Sequence, residues 1–417
     1  MIETIKLYDE DAYATEFTAR VVSSEETKSG WNVVLDRTLF FPEEGGQSPD
    51  SGVLAGLRVT DVQIRKGIIT HTLERPDSES AGAADGTGRA AQSAAGPAVG
   101  TEVTGVVDWD KRFSNMQNHT GEHIISGLMH KHYGFDNVGF RLSPRTPVTV
   151  DVNGFLDEEQ LEALEKEANE VVRRNVNVRA EYPPEEVLKA TEYRSKIELT
   201  GAVRLVTVEG VDTCACCAPH VRRTGEIGLI RILDAQKTGG GMRIFILCGE
   251  RALEDLQKKS AVLREISRLT SKKQEEADEG VRHLLEENAA LKAQAAEIQA
   301  ELVALKAERV PKELRSVLLF EGPMDPKAQR DYVNLLTAAH EGLCGVFSGT
   351  EEAGYRFVIG SGTGKENAKE AADLLRGNLS ARGGGSPQMV QGSVEAEERA
   401  IRECLSGLFL SRQGGGN

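Results

Sequence analysis

Two widely separated clusters constrain this chain more than any other feature: His119-Thr-Gly-Glu-His123 and Cys214-Ala-Cys216-Cys217-Ala-Pro-His220. The first pair sits at i, i+4 in a stretch that predicts a helix from Met116 to His132, so both imidazoles project from one face toward a single point. Cys216 and His220 repeat the spacing. Three nitrogens and a thiolate suit a borderline-soft tetrahedral cation, and zinc is the ion that fits.

The 417 residues exceed one ordinary core, and two or three domains are expected. A hydrophobic fraction of 39% with 28% charged residues is that of a soluble protein. No apolar run approaches the roughly 20 residues of a membrane span. The start, Met1-Ile-Glu-Thr-Ile-Lys6, has no signal-peptide character, so the expectation is a cytoplasmic protein with no membrane partner. Cys248, Cys344 and Cys404 are scattered singly and the other cysteines are clustered, a pattern that points to metal rather than to disulfides. A net charge of -15 excludes a surface coated in basic residues for nucleic acid. It leaves room for a local patch from Arg173-Arg174, Arg179, Lys189, Arg194, Lys196 and Arg222-Arg223.

Residues 1–110 predict an antiparallel β-rich subdomain, since runs such as Trp31-Asn-Val-Val-Leu35 alternate and are broken by Gly, Pro and Asp. Within it, Gly45-Gly46 permits a close backbone approach, to a ligand or simply to another strand. Residues 75–100 are Ser/Ala/Gly-rich and predict a flexible, dispensable insertion. Residues 111–250 hold both clusters, an amphipathic helix from Asp157 to about Asn175, and strands without regular βαβ alternation. The class is therefore α+β, with an α/β zinc-site domain following the β-rich subdomain.

From 251 to 309 the chain is nearly free of Gly and Pro. Leu284, Leu291, Ile298 and Leu305 recur at heptad spacing, with Val281, Asn288, Ala295 and Leu302 at the alternate core positions, which predicts a helical coiled-coil stalk. The pattern lapses between Thr270 and Asp278, so two coiled segments and an antiparallel hairpin both fit. Residues 310–417 predict a small α/β domain with a glycine-rich loop, Arg382-Gly-Gly-Gly385, that lacks phosphate-loop spacing.

The order His119-x-x-Glu122-His123 also matches the inverted zinc-protease motif, in which the glutamate is a general base. That chemistry takes a further carboxylate ligand, whereas a Cys-x-x-x-His cluster follows here. Cys214-x-x-Cys217 with His220 could instead be half of a structural zinc knot. Two i, i+4 pairs on separate elements suit a cleft better. Helical geometry turns Glu122 away from the histidines, so the expectation is a solvated or supporting role, with aid to water activation as the alternative.

The whole set, Gly45-Gly-Gln47-Ser-Pro-Asp50-Ser-Gly52, then Arg112-Phe-x-x-Met-Gln117-x-His-Thr-x-x-His123, then Cys216-x-x-x-His-Val-x-x-Thr224-Gly-Glu-Ile-Gly228, resembles the editing domain of alanyl-tRNA synthetases and their free-standing relatives. It covers residues 1 to about 250. Gly383-Gly-Gly-x-Pro387-x-x-x-Gln391-Gly392 resembles the carboxy-terminal domain of the same synthetases. Because the editing motifs begin so near Met1, the expectation is a free-standing, ATP-independent protein of the long form, without a class II aminoacylation domain.

The resemblance implies an aminoacyl-tRNA deacylase acting in trans on tRNA(Ala) mischarged with serine or glycine. It implies His119, His123, Cys216 and His220 as the catalytic Zn2+ ligands. Thr38, Gly45, Gly46 and Gln47 would bind substrate, with Thr38 meeting the serine hydroxyl. Arg222 and Arg223 would contact tRNA phosphates, and the coiled coil or carboxy-terminal domain would make a homodimer. Departures are Phe40-Phe41-Pro42-Glu43-Glu44, where the family usually has Phe-Tyr-Pro before a third glycine, and Cys217-Ala-Pro219, where Gly-Gly-Thr is common. Cys214 and Cys217 are extra thiols. The competing classes are a non-catalytic tRNA-binding adaptor and a zinc-dependent peptidase.

Overall fold

The alternating segments at the start of the chain close on themselves. Strand β1 (Ile5–Lys6) and helix α1 (Leu7–Glu10) lead into β2 (Glu16–Glu26), β3 (Gly30–Leu35), β4 (Arg37–Thr38), β5 (Gly52–Leu54), β6 (Leu57–Arg65), β7 (Ile68–Glu74) and β8 (Glu102–Val107). Six of these form a closed antiparallel barrel in the order β2-β3-β7-β6-β5-β8, and β4 pairs in parallel with β1 outside it. Closure removes the free strand edges that an open sheet would carry. The barrel core collects Val33, Leu35, Phe40, Leu54, Val62, Ile69 and Leu73.

The computed structural model describes residues 3–76, 96–195, 202–363 and 365–409. The middle of the expected flexible insertion, 77–95, and Lys196 lie outside the described residues. The insertion's two ends are anchored to the barrel. Arg75 N–H donates to Ser29 O and Gly100 N–H to Val21 O, both at 2.9 Å.

Helix α2 (Trp109–Tyr133) is longer than the expected histidine helix. Asp108 caps its start by accepting from Lys111 N–H, and Gly134, at φ 67°, ends it in the left-handed conformation that glycine adopts without strain. There follow β9 (Asn137–Arg141), β10 (Val148–Val152) and α3 (Glu158–Arg174), whose Asp157/Gln160 capping box and Asn175 C-cap close the helix at the residues the amphipathic pattern indicated. β11 (Val178–Glu181), α4 (Glu185–Ala190), β12 (Leu205–Val208) and β13 (Asp212–Ala215) precede β14 (Ile230–Thr238) and β15 (Gly241–Cys248). The four-stranded sheet β14-β15-β10-β9 and the three-stranded sheet β11-β12-β13 are antiparallel. α2 and α3 share a core with the former, built on Ile124, Leu128, Val150, Val171 and Ile244. A 3₁₀ turn, Thr224–Ile227, precedes β14, and Gly228 at φ 78° separates the two.

Clustering of contacts divides the chain into Met1–Val262 and Leu263–Asn417. Helix α5 (Glu250–Thr270) crosses that division, and α6 (Ala277–Glu308) begins after a break at the polar stretch the heptad lapse marks. The heptad residues of α6 face solvent, Leu284 48% and Ile298 58% exposed, so among the described residues they form no seam. The second unit contains β16 (Val317–Glu321), α7 (Pro326–Ala339), β17 (Leu343–Thr350), β18 (Gly354–Ser361), α8 (Ala368–Leu379), β19 (Arg382–Gly385), β20 (Met389–Val394) and α9 (Glu398–Phe409). Its sheet runs β16-β17-β18-β20-β19, parallel only at β16 and β17. The glycine-rich loop is thus a hairpin, with Gly383 opposite Gly392. Among the described residues no helix is long and apolar enough to cross a membrane.

Candidate metal centre

Helix α2 supplies His119 and His123 one turn apart, and the segment after β13 supplies Cys216 and His220. Their ligand atoms all lie within 4.8 Å of one another. Cys216 Sγ is 3.6 Å from His119 Nε2 and 3.4 Å from His220 Nε2. Tetrahedral zinc, with Zn–S of about 2.3 Å and Zn–N of about 2.1 Å, requires an S···N edge of about 3.6 Å. The cluster is already at that spacing.

The other nitrogen of each ring is held. His119 Nδ1 donates to Gln47 Oε1 at 2.7 Å, His123 Nδ1 to Asp212 Oδ2 at 3.2 Å and His220 Nδ1 to Thr120 Oγ1 at 3.0 Å. Thr120 gives its own hydroxyl proton to Met116 O at 2.7 Å, so toward His220 it can only accept. Three acceptors therefore hold all three rings in the Nδ1–H form, leaving each Nε2 lone pair for a cation. The donor set fits zinc in ligand type, spacing and tautomer.

Burial would lower His123, but its hydrogen bonds to Asp212 and Cys216 outweigh this and raise its ring well above the ordinary imidazole value, so a cation arriving at its Nε2 displaces a proton. Burial raises the Cys216 thiol, but the imidazoles of His119 and His220 reverse this and leave it well below the ordinary thiol value. Burial lowers His220 to about 3, so its ring is neutral. Burial raises the Cys214 thiol, and burial together with Cys216 and Glu44 raises that of Cys217. Of the clustered cysteines, only Cys216 is poised as thiolate. Asp212 is tuned by two partners: burial would raise it, but His123 and a bidentate Arg194, at 2.8 Å through both nitrogens, hold it below the carboxylate range.

Local sequence explains why these groups meet. Asp212, Cys214 and Cys216 alternate along and just beyond β13, so they share one face. Gly127 lets β13 approach α2, since a Cβ there would lie 2.6 Å from Asp212 Cβ. Arg204 clasps the Cys-x-x-x-His loop by donating to Cys216 O at 3.0 Å and Ala218 O at 2.8 Å. On the barrel side, Gly46 sits at φ 86° where a Cβ would meet Phe140 O at 2.2 Å. That approach allows Leu142 N–H to donate to Gly46 O at 2.7 Å, which fixes Gln47 against His119. The close contact left open in the sequence is therefore with another strand's backbone. A buried ion pair locks loop to helix: Arg112 of α2 donates from Nε to Asp50 at 3.0 Å, and also to Leu39 O and Ala12 O.

The cluster opens on a cleft of about 1450 Å³ lined by Gly45, Gly46, Glu44, Phe140, Tyr182 and Arg194 among others. Thr38 does not line it. Thr38 is fully buried in the barrel, bound to His71 Nε2 at 2.9 Å and accepting from Phe40 N–H at 3.1 Å. Arg222 and Arg223 are outside the cleft as well. Arg222 pairs with Asp11 at 2.9 Å and stacks on Tyr13, while Arg223 donates to Asn177 Oδ1 and Asn175 O. Glu122 is buried rather than solvated, and its Oε1 accepts from Ser126 and Asn137, which leaves it poorly placed to act as a peptidase base. Sequence reasoning missed Asp212 and Thr120 as orienting groups. The signals were the alternation of Asp212 with the cysteines and the hydroxyl inside the histidine motif.

A barrel loop and a Cys-x-x-x-His segment thus meet on one histidine helix. Residues 203–244 match the threonyl and alanyl tRNA synthetase second additional domain, and residues 5–85 match the class II (A) tRNA synthetases. Alanyl-tRNA editing protein Aarsd1-A of Xenopus laevis is 31% identical over 314 residues, covering 72% of this chain and 71% of that protein. By that likeness the chain belongs to the alanyl-tRNA editing proteins. Alanyl-tRNA editing protein AlaX-L of Pyrococcus horikoshii is 32% identical over 61% of this chain and 60% of its own length. The alanine–tRNA ligase of Ignicoccus hospitalis is 29% identical over 97% of this chain, which spans 43% of that enzyme. The chain thus spans about half the length of several curated relatives it matches.

Proposed function

We propose that this protein is a zinc-dependent aminoacyl-tRNA deacylase that acts in trans, hydrolysing the ester between serine, or alternatively glycine, and the terminal adenosine of tRNA(Ala). The observation that carries the reading is the convergence of three Nε2 atoms on one thiolate while every Nδ1 is held by an acceptor. His119, His123, Cys216 and His220 would hold the ion. Zinc bound there supplies Lewis acidity for an ester carbonyl or a water.

The chain's own residues orient and select. Gly45 and Gly46 keep the cleft wall free of side chains beside the cluster. Gln47 is fully buried behind Gly45 and Gly46, outside the cleft lining, and its carbonyl orients the His119 ring, so its part is to position the cluster beside the substrate. Thr38 lies inside the barrel, bonded to His71 and Phe40, outside the cleft lining. Hydrogen bonding to a serine hydroxyl disfavours alanine, because the smaller ligand leaves a buried polar group unpaired, a discrimination that can reach roughly 10⁴-fold. An aminoacyl ester is already activated, so no ATP is needed. Arg222 and Arg223 are exposed beside the Cys-x-x-x-His loop and would meet phosphates, with binding weakening as salt rises. The uncovered heptad residues of α6 support a homodimer, and the expected location is the cytoplasm, where the charged tRNA is.

The test is deacylation of seryl-tRNA(Ala) by the purified protein, with metal content measured in parallel. Cys216→Ala and the paired His119→Ala/His123→Ala change should lose both metal and turnover. Unchanged rates in these variants would remove the metal-site mechanism. Tight tRNA binding without hydrolysis by the intact protein would favour the adaptor.

A further inference from the structure

The turn at the cleft wall carries an acidic side chain, Glu44, outside the metal cluster. Glu44 and Gln47 face each other across Gly45 and Gly46, joined by Glu44 N–H to Gln47 O at 3.3 Å and Gln47 N–H to Glu44 O at 3.1 Å. Residues paired in this way send their side chains to the same side of the turn. Gln47 turns inward to His119, and Glu44 lines the cleft.

The Glu44 carboxylate is not neutralised there. Its Oε2 is shielded from solvent and has no hydrogen-bond partner among the described residues. Lys6 lines the same cleft, yet no ion pair of Glu44 occurs among the described residues. The neighbouring Cys217 thiol, raised by burial, is hydrogen-bonded to Glu44 but brings no positive charge and leaves Oε2 without a donor. A carboxylate only accepts hydrogen bonds, and one oxygen without a donor in a sheltered wall is costly unless a cationic donor arrives with the ligand. An aminoacyl ester brings one. Its α-ammonium lies on the atom next to the ester carbonyl, so a group beside the metal cluster can hold the amine while the carbonyl faces the cluster.

We propose that Glu44 binds the α-ammonium group of the aminoacyl ester, so that the cleft selects esters carrying a free, protonated amine over deaminated or N-blocked ones. This rests on the reading of the cleft as an aminoacyl-ester site. A charge-assisted hydrogen bond in a sheltered wall favours the amine by roughly 10- to 100-fold in affinity.

Calorimetry on the full, zinc-loaded chain tests this with two non-hydrolysable probes: 3′-seryl-amido-3′-deoxyadenosine, and the same molecule lacking the amine. The intact protein should bind the amine probe roughly 10- to 100-fold more tightly, with the preference fading above about pH 8 as the ammonium loses its proton. Glu44→Gln should weaken the amine probe alone and bring the two affinities together, with zinc content and melting temperature unchanged. Glu44→Asp should keep part of the preference. Equal binding of both probes by the intact protein, or equal weakening of both by Glu44→Gln, overturns the assignment while leaving the ester site standing. Binding of neither probe removes the ester-site reading, and this proposal with it.

Discussion

Helix α2 carries Arg112, Asn115, Gln117, His119, Glu122 and His123 and buries all of them, whereas α6 repeats leucine and isoleucine at heptad spacing and leaves them largely exposed. Of the 32 residues of α6 only Ala277, Gly280 and Val303 are buried. Polarity therefore does not decide burial in this molecule. Most of these polar groups meet a specific partner: Arg112 meets Asp50, Gln117 meets Glu226 O, His119 meets Gln47, His123 meets Asp212 and Glu122 meets Ser126 and Asn137, while Asn115 Nδ2 has none among the described residues. Burial is tolerable when hydrogen bonds replace water. The apolar residues of α6 have no such surface within the described chain, and only a further surface could cover them.

The sharpest way to break this contrast is Arg112→Met, which leaves Asp50 charged and buried without its ion partner. A loss of about 3–5 kcal/mol is expected, read by chemical denaturation. A loss below about 1 kcal/mol would mean that the pairing is not what makes the polar burial tolerable.

His71 extends the rule to the barrel. It is fully buried, donates from Nδ1 to Val33 O, accepts from Thr38, and is lowered by burial from 6.5 to about 4. The folded state resists the proton that the unfolded state takes up, so stability is full above pH 6.5 and falls as the pH drops from 6.5 toward 4. The loss should approach about 3 kcal/mol, and His71→Gln should flatten the profile. A profile that stays as steep in the variant would assign the acid sensitivity elsewhere.

Asp212→Ala should weaken zinc binding by roughly 10- to 100-fold, measured by competition with a chelator, because His123 loses the group that orients it. Unchanged affinity would show that packing alone sets the ring. The smallest effect is expected for serine at Leu284, Leu291 and Ile298 of α6, within about 0.5 kcal/mol each if the chain is monomeric. Should light scattering show a dimer that these changes dissociate, α6 would join α2 as a helix whose burial is completed by a partner.

Where a reading depended on spacing along one element, the sequence carried it. The His119/His123 pair, the Asp157 to Asn175 helix and the break before α6 follow from helical period and capping, which neighbouring residues determine, whereas Cys216 and His220 lie on an irregular segment after β13. The closed barrel was legible only as antiparallel strands, because closure depends on β2 meeting β8 across the whole subdomain. The site divided in the same way. His119, His123, Cys216 and His220 were named by their spacing, but no local pattern indicated that Glu122 would be buried. Nor did any indicate that Arg222 and Arg223 would be engaged by Asp11, Tyr13 and the Asn175–Asn177 segment.

By itself, then, the sequence determined the ligand types and the helix that presents two of them. Only the tertiary structure decided which acceptor holds each Nδ1, that Thr38 is buried in the barrel outside the cleft lining, and that Glu44 faces the cleft with an unpaired oxygen. The physical reason is reach. Backbone geometry relates residues a turn or a pleat apart, while hydrogen-bond partners distant in sequence are chosen by packing, here by glycines that let strands close on α2 and the barrel loop close on Phe140.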